Sequence, residues 1–145
     1  MSHVAKVELK ILDLKALKTA AESLGLEFVE GQETYRWFGR SVGDYPMPEG
    51  LTSADLGKCN HAIRIPGNPS AYEIGVRQNA DGKGYTLLWD FWQGGYGLQT
   101  AIGKDGGRLK QAYAGAVAVN HYSRKGYRVT SSTDAAGNLI LRASR

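Results

Sequence analysis

A single cysteine, Cys59, in 145 residues excludes an internal disulfide and any zinc site built on cysteines at ordinary spacing. The three histidines, His3, His61 and His121, stand far apart and form no His-x-x-x-His or Glu-x-x-His pattern, so the helical metal signatures are missing too. No apolar run approaches the roughly 18 residues that a bilayer requires, and Met1-Ser2-His3-Val4-Ala5-Lys6 lacks the apolar segment of a secretory signal. A Gly-x-Ser-x-Gly elbow and a P-loop are likewise absent. Gly94-Gly95-Tyr96-Gly97 is rich enough in glycine for a phosphate loop, but the next helix expected from the sequence starts about ten residues later, too far to aim its N-terminus at an anion. These absences predict a cytoplasmic, non-enzymatic protein with no cofactor, no metal and no membrane segment.

What the chain does have is a globular balance, with 42% hydrophobic and 22% charged residues. That suits one domain over 1–145 with a real core. The net charge of +4 is unevenly spread. From Lys104 to Arg145 eight basic residues oppose only Asp105 and Asp134, a balance of +6, which leaves −2 for the first 103 residues. Such asymmetry favours an anionic partner met by the C-terminal third, although basic surfaces also serve solubility alone.

Alternation at Ala5, Val7, Leu9 and Ile11 predicts a half-buried strand, and Asp13 is placed to cap a helix carrying Leu14, Leu17, Ala21 and Leu24 that stops at Gly25. A strand follows from Leu26 and Phe28, with Tyr35 and Trp37 continuing its alternation. Residues 41–58, holding Gly43, Pro46, Pro48, Gly50 and Gly57, read as an irregular loop insertion. Strands are then expected through Cys59–Ile65, Tyr72–Val76 and Tyr85–Trp92, the last two joined by the turn at 79–84. A second helix is expected from about Gly107 to Lys125, and a last hairpin turns at 134–138. The expected fold is α+β, one antiparallel meander with two helices on a single face. A weak internal repeat (helix, glycine stop, strand) relates Leu24–Phe28 to Lys125–Val129.

Several segments together carry a resemblance. Met1-Ser2-His3, Asp13-Leu14-Lys15-Ala16-Leu17, Tyr72-Glu73-Ile74-Gly75-Val76, Tyr85 to Gln93, Leu109-Lys110-Gln111-Ala112-Tyr113-Ala114 and Lys125-Gly126-Tyr127-Arg128-Val129 resemble, in order and spacing, an uncharacterised family of cyanobacteria and plastids. It is the hypothetical chloroplast reading frame 35 family, a domain of unknown function with relatives in other bacteria and phages. The resemblance implies a shared fold and brings no enzymatic activity with it. The 41–58 loop looks like a departure from it.

Within Tyr85–Trp92, one strand face holds Tyr85, Leu87, Trp89 and Phe91, expected in the core, and the other holds Thr86, Leu88, Asp90 and Trp92. Asp90 has two readings: a desolvated acid between aromatics, or a carboxylate paired with a base or exposed at the sheet edge. The binding candidates are clearer. Arg36, Trp37 and Arg40 interleave aromatic and cationic groups as single-stranded nucleic-acid sites do, and Arg124, Lys125, Arg128 and Arg142 would extend that surface. Strand alternation and helix-dipole compensation explain the same residues without a partner. Nucleic acid, single-stranded DNA or RNA, is thus the first expected partner. A protein-interaction adaptor, or a phage factor directed at host defences, is the alternative, with Trp92, Tyr96 and the 41–58 loop as its docking patch. A small-nucleotide binder is a third. The oligomeric state is open, and an exposed edge strand would support pairing between copies.

Overall fold

The structure is a computed structural model that describes residues 3–41, 43 and 45–145. Met1 and Ser2 of the N-terminal motif, and Val42 and Asp44 of the 41–58 loop, lie outside the described residues. Among the described residues seven strands and three α-helices follow in chain order: β1 Val4–Ile11, α1 Leu14–Ser23, β2 Glu27–Glu30, β3 His61–Arg64, β4 Ile74–Gln78, β5 Tyr85–Asp90, α2 Leu98–Ile102, α3 Gly107–Arg124, β6 Arg128–Thr133 and β7 Leu139–Ser144. Strands β1 to β5 form one antiparallel sheet in the order β1-β5-β4-β3-β2, so β2 through β5 meander and β1 closes the far edge. The last two strands form a separate two-stranded sheet. The architecture is the α+β arrangement that the sequence predicts. Among the described residues no helix is long and apolar enough to cross a membrane.

The caps fall where the side chains dictate. Asp13 Oδ1 accepts the Ala16 N–H at 3.0 Å, satisfying an otherwise orphaned donor of α1. Gly25 takes φ +77° behind the helix, a conformation that side-chain-bearing residues avoid. The apolar stripe Ala16, Leu17, Ala20 and Ala21 is thereby laid against α3 and the sheet. Tyr113 of α3 locks the crossing: its hydroxyl accepts the N–H groups of Leu12 and Asp13, each at 3.1 Å.

Register sorts the core into two layers. Val7, Leu87 and Val76 stand side by side, as do Phe28, Ile63 and Ile74, and all six face α1 and α3 together with Trp89. The opposite face presents Val4, Leu88, Gly75 and Asp90, covered by Tyr35 and Leu56. Of the aromatic strand, Leu87 and Trp89 are buried under the helices and Tyr85 and Phe91 pack half-buried against them, as the alternation predicts.

The strand expected from Leu26 to Trp37 is shorter than its alternation suggests. It ends at Glu30, and Gly31 at φ +76° turns the chain beneath the sheet. Tyr35 and Trp37 therefore belong to a covering segment rather than to a strand. Two buried carboxylates hold it there. Glu73 accepts the Arg36 N–H at 2.8 Å and the Gln32 amide at 3.1 Å, and Asp90 accepts the Phe38 N–H at 3.0 Å. Gly75 makes room for the Tyr35 ring, because a methyl group at its Cβ position would overlap Cδ1 and Cε1. Gly75→Ala is accordingly expected to lower stability by about 1–3 kcal/mol, the cost of overpacking a rigid contact. Denaturant unfolding checks this, and a loss below about 0.5 kcal/mol contradicts the tight seating of Tyr35.

Candidate functional site

The C-terminal basic surface is built by α3 and the β6–β7 hairpin. Hairpin register places Arg128 opposite Ser144 and Thr130 opposite Arg142. Strand parity then sets Arg128 and Arg142 on one face as diagonal neighbours. The other hairpin face turns Val129, Leu139 and Leu141 inward, and Leu139 lies so close to Gly115 of α3 that a methyl group there would overlap it. The apolar side fixes the hairpin on the helix and leaves its arginines in solvent.

Arg124 in the last turn of α3, Lys125 at its C-cap and Arg128 at the start of β6 are all exposed. Two tyrosines flank Arg124 and Lys125 in the chain. Tyr122 and Tyr127 meet edge-on at 5.8 Å, His121 packs edge-on against Tyr122 at 5.3 Å, and the Arg145 guanidinium sits 4.5 Å over the Tyr127 ring. Tyr122 remains 41% exposed, leaving ring surface free to stack. Among the described residues the ion pairs are Arg36–Glu73, Arg64–Glu27 and Arg77–Asp55. None engages Arg124, Lys125, Arg128, Arg142 or Arg145. Their charges are therefore not cancelled by neighbouring carboxylates.

The hairpin turn is held by Asp134, whose Oδ1 accepts the N–H groups of Ala136 at 2.9 Å and Asn138 at 2.8 Å. The Asn138 backbone and side-chain donors are the main cause that draws the Asp134 carboxyl below its ordinary 3.8. A carboxylate with a depressed folded pKa stabilises the turn above the unfolded value and releases it only as pH falls through the lower folded one. Amide shifts of Ala136 and Asn138 are thus expected to hold down to pH 4 and change below it. Opening at pH 5 contradicts this arrangement.

The remaining predicted residues lie elsewhere. Arg36, Trp37 and Arg40 belong to the segment covering the sheet face opposite α1 and α3, so they do not join the C-terminal cations in one surface. Arg36 is engaged in the fold: its Nη1 donates to the Ala71 carbonyl at 2.7 Å and lies 3.9 Å from the Glu73 carboxylate. Trp37 packs its indole Nε1 edge against Gly57 and joins the Tyr35 and Leu56 cluster. Arg40 lies 5.6 Å over the Phe38 ring. Their alternation matched a nucleic-acid strip because covering segments also alternate.

The proposed docking patch separates as well. Trp92 packs edge-on against His3 at 5.1 Å, and His3 and Phe91 both meet Tyr45 of the 41–58 loop, at 5.2 and 5.0 Å. Tyr96, 47% exposed, rests instead on Tyr72 at 5.0 Å. Residues Gln93 to Tyr96 run as four successive left-handed positions with φ between 52° and 64°. The glycines adopt this freely, while Gln93 and Tyr96 are strained there at about 1–2 kcal/mol each. Helix α2 starts directly after them, earlier than the sequence suggests, but its five residues give only one turn or so of aligned dipole.

Asp90 is desolvated, as the first of its two sequence readings has it, and is not exposed at the sheet edge. It is fully buried, and besides Phe38 it accepts the N–H groups of His3 and Trp92, each at 3.0 Å. Its role is to join three chain segments. Beside it, a cleft of about 750 Å³ runs between β1, the 45–49 turn and the 104–110 segment, with Lys6, Glu8, Met47, Phe91 and Lys110 among its walls. Burial raises the thiol of Cys59 to about 11 and the phenols of Tyr35 and Tyr72 to about 12, so none is primed as a nucleophile. Among the described residues the Tyr35 hydroxyl has no hydrogen-bond partner. Among the described residues no three His, Cys, Asp or Glu side chains converge as a metal site.

Sequence reading missed Tyr127 as the ring beneath Arg145, and Tyr122 as the ring that packs against it. The signal was present in His121-Tyr122-Ser123-Arg124-Lys125-Gly126-Tyr127-Arg128, which mixes rings and cations as densely as Tyr35–Arg40 does.

Comparison with known proteins returns one family. No curated protein and no solved structure matches the chain. Residues 48–140 match the family described as "Protein of unknown function (DUF1257)", a span that runs from the second half of the 41–58 loop through β3, β4, β5, α2, α3 and β6 into β7. That span covers well over half of the chain, and the protein belongs to the DUF1257 family.

Proposed function

We propose that this protein is a cytoplasmic, non-enzymatic binding module whose C-terminal surface engages single-stranded nucleic acid, RNA or DNA. The observation that supports it most is that Arg124, Lys125, Arg128 and Arg142 are exposed and outside the ion pairs found among the described residues, in the same helix end and hairpin as the edge-on rings Tyr122 and Tyr127. Cations track phosphates and offer charge neutralisation, while exposed rings accept bases of any identity. Arg36, Trp37 and Arg40 have no part in this reading, because they serve the covering segment. Placement within the hypothetical chloroplast reading frame 35 lineage belongs to the same proposal and adds no chemistry to it.

Fluorescence anisotropy with a labelled single-stranded oligonucleotide tests the reading. Binding that weakens steadily as salt rises is expected. Absence of binding at 50 mM salt, or affinity level with salt, refutes it. A protein-interaction adaptor is the second reading, favoured by the His3, Tyr45, Phe91 and Trp92 cluster, of which Tyr45 is 41% exposed. A partner captured from lysate and retained after nuclease treatment supports that alternative.

A further inference from the structure

We infer that the groove between α1, α3 and the β6–β7 hairpin binds a medium-chain carboxylate, its head group on Arg108 and its alkyl chain laid along α3. Register sets Ser131 opposite Leu141 and Thr133 opposite Leu139, so these four side chains share the hairpin face turned toward α3. Leu139 seats against Gly115, yet Ser131 and Thr133 stay exposed. The hairpin therefore meets α3 along β7 and stands off it along β6. A groove of about 500 Å³ is left beneath, walled by both helices and the hairpin. That volume falls in the range of small-molecule sites.

The chemistry of the walls selects the occupant. Arg108, Ala112, Ala116 and Val119 follow one another a turn apart along α3, and Leu24 of α1 and Leu141 of β7 extend the apolar lining. Arg108 is the one charged residue among those that line the groove, and among the described residues no acid pairs with it. Its Nη1 donates to the Thr100 carbonyl at 3.1 Å, which steadies the guanidinium and leaves its other N–H groups for a ligand oxygen. An apolar trough with a lone cation at one end fits an alkyl chain carrying one negative head group and rejects a cationic one. From Arg108 to Val119 the helix rises about 16 Å, the length of an extended chain of about twelve carbons. The larger cleft beside β1 lacks this bias, because Lys6, Lys104 and Lys110 stand there with Glu8, Glu49 and Asp105.

Isothermal titration calorimetry of the whole chain with dodecanoate tests the assignment. One molecule is expected to bind per chain, and affinity to fall about fourfold for each methylene removed from the ligand. Dodecyltrimethylammonium, of the same length and opposite charge, is expected to bind at least about tenfold more weakly than dodecanoate. Arg108→Gln is expected to lower dodecanoate affinity about tenfold while leaving the dependence on chain length unchanged. Ala116→Leu, which fills the trough, is expected to abolish binding. Circular dichroism establishes that each variant and the saturated complex are folded. No binding at millimolar dodecanoate, an affinity indifferent to chain length, equal binding of the cationic amphiphile, or unaltered affinity in Arg108→Gln overturns the assignment. So does a dimer, seen by sedimentation, that dodecanoate leaves intact and whose formation Ala116→Leu prevents, because a second copy then fills the groove.

Discussion

Asp90→Ala is expected to cost about 3–6 kcal/mol of stability, a large share of the 5–15 kcal/mol typical of a folded domain. Its carboxylate is wholly buried and accepts three backbone N–H groups, from His3, Phe38 and Trp92. Truncation leaves each donor without a partner at about 1–3 kcal/mol apiece, before counting the space vacated. Asp90→Asn separates the contributions. An amide oxygen at the Oδ1 position keeps the His3 and Trp92 bonds, while its NH₂ group faces the Phe38 donor, so about half the loss is expected. Urea unfolding measures both variants, and hydrogen exchange is expected to show the amides of residues 35–38 opening first. An alanine variant within 1 kcal/mol of the parent contradicts the role assigned to Asp90.

Replacing Arg124, Lys125, Arg128 and Arg142 together by glutamine is expected to reduce single-strand affinity about a hundredfold or more at 50 mM salt. Four phosphate contacts give a slope of log K against log salt near −3 for a single strand, or about a fifty-fold loss between 50 and 200 mM. Removal of those contacts is expected to flatten the slope as well as lower affinity. All four side chains are exposed and lie outside the ion pairs of the fold, so the melting temperature is expected to change little. Arg40→Ala, on the covering segment, is expected to leave affinity within about twofold. A quadruple variant that binds as tightly as the parent assigns binding to some other surface.

Local chemistry made most of the fold legible. Asp13 and Gly25 bound α1, Gly126 at φ +83° follows α3, and the alternation of Tyr85 to Phe91 correctly sends Leu87 and Trp89 beneath the helices. The covering segment was not legible, because Tyr35, Arg36 and Trp37 alternate as a strand would. Its true position depends on Glu73 and Asp90, acceptors that lie 37 and 52 residues away in sequence from the amides they hold. Pattern within a short window carries no information about such partners. The same limit explains Asp90, whose three donors come from chain segments that only the folded sheet brings together. At the candidate site, the same-face placement of Arg128 and Arg142 followed from the hairpin and was foreseeable. Separation of Arg36 and Arg40 from them was not, since it rests on which face of the sheet the chain passes after Gly31.

The most direct test is a two-dimensional NMR titration of the labelled protein with a short single-stranded oligonucleotide at low salt. Shift changes are expected to concentrate in residues 121–130 and 139–145, with the amides of 35–40 unmoved. Changes centred on 35–40, or none anywhere at saturating oligonucleotide, contradict the account.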